Sequence, residues 1–114
     1  MFFLIINVLD TSYKEEIFLA LQSSNITMAS YFSAKNPDTT LTEGMPLLSS
    51  FFSFPQERSN EQMIITALID SKIQAQDFIN ILKEADIDID NRDIIRLVVL
   101  PVEMAYDRST GLLE

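Results

Sequence analysis

The chain repeats itself. Leu9-Asp10 and Ile69-Asp70 each close an apolar run, and each leads into a capping signal and an amphipathic helix. Ile17, Phe18 and Leu21 of the first helix correspond to Phe78, Ile79 and Leu82 of the second, and Asn25-Ile26 corresponds to Asp86-Ile87. Apolar residues at such spacings line one side of a helix. The apolar runs, rich in β-branched and aromatic residues, read as strands. Two β-α-β units in succession leave few topologies open.

In order, the runs are a strand over Phe2–Leu9, a helix from Tyr13 to about Ser23 and a half-exposed strand over Ile26–Lys35. After an irregular connection come a strand over Gln62–Ile69, a helix to about Glu84, an acidic turn over Ala85–Asp93 and a strand over Ile94–Tyr106. Ser12-x-x-Glu15 and Ser71-x-x-Gln74 have capping-box spacing. The expected fold is α+β and ferredoxin-like, βαββαβ, a four-stranded antiparallel sheet with two helices on one face. Strands one and three belong at its centre, strands two and four at its edges. Pro101 suits an edge, since it has no N–H to give to a ladder. The unbroken apolarity of Phe2–Ile6 implies that both faces of the sheet are covered.

At 114 residues, 47% of them hydrophobic, the chain suffices for one domain spanning 1–114. It has neither cysteine nor histidine. Disulfides, thiol nucleophiles and His-based chemistry are therefore excluded, as are most zinc and copper sites. The cysteine-free composition fits a cytoplasmic location. A net charge of −9 with no basic cluster argues against nucleic acid as a partner. Phe2–Ile6 is too short to span a bilayer, so no membrane insertion is expected. Asp86-x-Asp88-x-Asp90 starts like a calcium loop, but Asn91 stands where glycine is needed and Leu97 where a bidentate Glu is needed. No catalytic constellation is visible, and no enzymatic activity is expected.

The stretch Arg96–Gly111, RLVVLPVEMAYDRSTG, carries a more specific signal. Val98-Val99-Leu100-Pro101-Val102-Glu103-Met104-Ala105, followed at the right distance by Thr110-Gly111, resembles the closing strand of the nitrogen-regulatory PII signal proteins. The resemblance implies a homotrimer that packs sheet to sheet and binds an adenine nucleotide between subunits. It also implies a protein partner, such as a transporter or metabolic enzyme, engaged through the long connection. Arg96 stands at the position of the family's ligand-binding lysine. Arg92, Arg108, Thr110, Ser30 and Lys35 complete the candidate ligand set. Asn36–Asn60 takes the place of the family's T-loop, with Gly44, Phe51, Phe52 and Phe54 as the candidate partner contacts. No tyrosine is present there for uridylylation.

Departures from the family pattern bear on the ligand. Asp107 and Ser109 occupy the places of two phosphate-binding arginines, and Asp93-Ile94-Ile95 replaces a glycine-rich turn. Bidentate guanidinium contacts and close backbone approach to phosphate are both lost. Two alternatives follow. One is a trimeric interaction module of the PII/CutA-like superfamily that has lost its ligand. The other is a metal-tolerance protein like CutA, against which the absence of His and Cys counts.

Overall fold

A computed structural model of the chain describes residues 1–37 and 61–114. Its elements are β1 (Phe2–Val8), a 3-10 turn (Thr11–Tyr13), α1 (Lys14–Ser23), β2 (Ala29–Lys35), β3 (Glu61–Ile69), α2 (Lys72–Glu84), β4 (Ile95–Pro101), β5 (Ala105–Asp107) and β6 (Gly111–Leu113). Strands β1 to β4 form one antiparallel sheet in the order β2-β3-β1-β4. With two helices it is compatible with the ferredoxin-like plan. As expected, β1 and β3 are central and β2 and β4 lie at the edges.

Alternation along the central strands sorts residues between two faces. Leu4, Ile6 and Val8 of β1 are fully buried, as is Ile65 of β3 apart from a trace. They join Ile17, Ala20 and Leu21 of α1 and Ala75, Phe78 and Leu82 of α2 in one core. Both helices therefore cover the same face, and Phe78, wholly buried, sits among them.

The repeat extends to the helix ends. Asn25 (φ 61°) and Asp86 (φ 60°) both adopt the left-handed conformation just past their helices. The Asn25 and Asp86 N–H groups donate to Gln22 and Lys83 carbonyls at 3.2 and 3.1 Å. Those of Ile26 and Ile87 reach back to Leu21 and Leu82 at 2.9 and 3.1 Å. Both are Schellman closures. Each drops a buried isoleucine into the core, and Ile89 packs against it from the acidic turn.

The helix starts differ between the halves. At Ser71 the capping box forms, with Gln74 Oε1 accepting from the Ser71 N–H at 3.4 Å and also from the Asp70 N–H at 2.8 Å. At Ser12 it does not. Asp10 Oδ1 instead accepts from the Ser12 N–H at 3.1 Å and hydroxyl at 2.6 Å. That bond winds Thr11–Tyr13 into a 3-10 turn, and α1 begins at Lys14 with no side-chain cap.

The fourth strand is also shorter than Ile94–Tyr106. It stops at Pro101, opposite Phe2, where the ladder loses a donor and β1 runs out. Val102 N donates to Met1 O at 3.2 Å, the last bond of this edge. Beyond it β5 and β6 pair with each other as a hairpin, not with the sheet.

Stability should follow these assignments. Phe78→Ala is expected to cost about 3–5 kcal/mol in urea unfolding. Asp86→Gly relieves a left-handed φ and should raise stability by about 0.5–1 kcal/mol, whereas Asp86→Ala should lower it. Equal midpoints for the glycine and alanine variants would refute the capping role.

Candidate functional site

The face of the sheet turned away from the helices is divided in character. One half is apolar. There Phe3 pairs with Leu100 and Leu68, and Ile5 pairs with Val98. Val98 and Leu100 are 42% and 46% exposed, and Phe32 on β2 is 52% exposed.

The other half is polar. It begins at a row across the four strands, Phe32, Ile64, Asn7 and Arg96, that turns from apolar on β2 and β3 to polar on β1 and β4 and is fixed by the registers Phe32↔Ile64, Asn7↔Ile64 and Asn7↔Arg96. A cleft of about 330 Å³ opens at this end. Arg96 on β4 and Lys35 at the end of β2 line it, together with Asn7, Gln62, Asn36 and Asp93. Among the described residues, the side chains of Asn7, Gln62, Lys35 and Arg96 make no hydrogen bond and no ion pair. Lys35 and Arg96 are exposed on the edge strands, whereas Asn7 and Gln62 are half-buried on the two central strands, where a carboxamide without a partner among the described residues is uncommon. Asn7 is the sharpest case, a half-buried carboxamide inside an otherwise apolar central strand.

The structure thus brings together two of the six sequence-derived ligand residues, Arg96 and Lys35. The other four lie apart from this cleft within the chain. Arg92 Nη1 donates to the Tyr13 hydroxyl at 2.9 Å, with Asp10 at 3.9 Å and the Tyr13 ring centroid at 5.9 Å. It ties the lead-in of β4 to the start of α1. Ser30 lines a separate cleft with Phe18, Leu21 and Tyr31. Thr110 borders a small cavity with Met1, Met28 and Gln74. Arg108 is exposed on the β5–β6 turn. Gly44, Phe51, Phe52 and Phe54 lie outside the described residues.

Asn7 and Gln62 were not among the sequence candidates. The signal for Asn7 was available, since it is the only polar residue in FFLIINVL. Gln62 has no comparable mark, because a polar residue near a strand end is ordinary.

The turn that matches the family's Thr-Gly has a local explanation. Asp107 accepts from the Ser109 N–H at 3.0 Å and from its hydroxyl. Gly111 then takes φ +69°, which glycine alone adopts freely. The Ser109 hydrogen bonds hold the Asp107 carboxyl below its ordinary value of 3.8.

Among the described residues no group of three or more acidic side chains converges to hold a metal ion, and no helix is long and apolar enough to cross a membrane. No protein-family model matches the chain, and a search of curated proteins finds no match.

Because the Asp107 carboxylate is favoured in the folded hairpin, its contribution is present above pH 3.8 and is lost as pH falls through a lower folded value. An NMR titration of the Ser109 amide should inflect below 3.8. An inflection at or above that value would contradict the turn described.

Proposed function

We propose that the chain is a PII-like regulatory protein. In this reading it is a homotrimer that binds a small effector and engages a protein partner, such as a transporter or metabolic enzyme, through residues 36–60. The observation that carries the reading is the cleft containing Lys35 and Arg96. Lys35 is the last residue of β2 and directly precedes the long connection. An effector bridging it to Arg96 on the far edge strand would favour one arrangement of the chain leaving β2 and so alter the affinity for a partner. The apolar half of the same sheet face supports self-association, since exposed patches of that kind are rare unless used. A repeated head-to-tail contact that closes gives a ring.

A second reading keeps the assembly and drops the ligand. It is favoured by the Asp107–Ser109 turn, in which the residues at the family's arginine positions bond each other.

Thermal melting against ATP, ADP, AMP, cyclic dinucleotides, 2-oxoglutarate and singly charged carboxylates such as L-glutamate and L-lactate separates the two. A ligand at a hundred times its Kd adds about 2.7 kcal/mol, roughly 10 °C for a domain of this size. The expected result is such a shift with one of them, abolished by Arg96→Ala. Light scattering should give three times the 13.0 kDa chain mass. Val98→Asp, placed on the apolar half, should reduce that mass to the single chain. A wild-type protein that is monomeric at all concentrations would remove both readings.

A further inference from the structure

We infer that the Lys35–Arg96 cleft selects a small carboxylate of one net negative charge that also carries hydroxyl, amide or amino groups, and that it disfavours nucleoside polyphosphates. The inference rests on the reading of this cleft as the effector site and names the chemistry it takes.

Three observations lead to it. The first is charge. Among the described lining residues, Lys35 and Arg96 supply two positive charges and Asp93 one negative charge, a balance of one positive charge. The chain as a whole is strongly acidic, at −9. A singly charged anion is matched, while a polyphosphate brings several uncompensated charges into that field. Arg96 can hold a carboxylate by two parallel hydrogen bonds, and Lys35 offers a point charge from the other wall.

The second is the backbone. Of the chain's two glycines, Gly44 lies outside the described residues and Gly111 does not line the cleft. Phosphate cradles rely on successive N–H groups that approach the ligand where side chains are missing. Here the floor is sheet, with its central N–H groups already committed to ladders.

The third is size and hydrogen bonding. At about 330 Å³ the cleft is near the lower limit of small-molecule sites. Asn7 and Gln62 each present both a donor and an acceptor, and neither is satisfied within the described chain. They fit neutral hydrogen-bonding groups on the ligand. Leu9, Ala34 and Ile64 provide an apolar wall for a short carbon skeleton.

The test is a two-dimensional NMR titration of the full chain with L-lactate, L-glutamate and N-acetylglycinate, each singly negative, and with inorganic phosphate, AMP and ATP. The expected result is saturable movement of the Asn7, Gln62 and Arg96 signals with at least one carboxylate. Binding should weaken about tenfold or more in Arg96→Gln and in Asn7→Leu. The Asn7 variant leaves the charge untouched. Equal affinity there would mean simple counter-ion binding and would overturn the site as drawn. Saturation by AMP or ATP with none by the carboxylates would overturn the ligand class and leave the effector site standing. Silence at these residues for every ligand at millimolar concentration would overturn both.

Discussion

The pairing of β1 with β3 down the middle of the sheet is the constraint on which the rest of the structure depends. Seven residues of β1 face seven of β3 in strict register. A slip of one position would turn Leu4, Ile6 and Val8 out of the core and put Phe3, Ile5 and Asn7 in their place. That would place a carboxamide under the helices and strip α1 and α2 of their floor. One-sided burial fixes the register, and the register sets the rows on the other face. The Asn7–Arg96 neighbourhood is thus a by-product of burying Ile6 and Val8 opposite it.

The sheet face turned away from the helices lies outside the requirements of the core beneath them. Its apolar half, with Phe3, Val98 and Leu100, contributes nothing to the core under the helices. Its polar half, with Asn7, Gln62 and Arg96, leaves hydrogen-bonding capacity unused among the described residues. Groups of the first kind suit a surface that another protein surface covers. Groups of the second kind suit a solute. Both halves lie on the same four strands, so the assembly and effector parts of the proposal share one scaffold.

Much of the fold was legible because the repeat couples local signals to each other. The left-handed Asn25 and Asp86 were visible as a matched pair of polar residues, each followed by isoleucine, and the structure closes both helices alike. The capping spacing at Ser12 misled, because Asp10 two residues earlier is a competing acceptor for the same N–H. The last strand was overrun, since apolar character continues through Met104 and Ala105 although Pro101 ends the ladder. The candidate site was less legible. Arg96 and Lys35 stand 61 positions apart, and only the sheet order brings them to one cleft. Asn7 could have been singled out as a polar interruption in a central strand, but nothing in the sequence says what it would face.

β2 has a further consequence as an edge strand. Most of its seven residues are exposed, and among the described residues its outer backbone groups have no strand beside them in the sheet. Such an edge is a template for any extended chain that reaches it. No proline interrupts it, and Lys35 is its only charge. What holds copies apart there is long-range repulsion from an acidic chain, and this acts over about 8 Å at physiological ionic strength. The molecule's colloidal behaviour is therefore set by its buffer as much as by its fold. Added salt shortens the reach of that repulsion and brings the unprotected edges within range of one another.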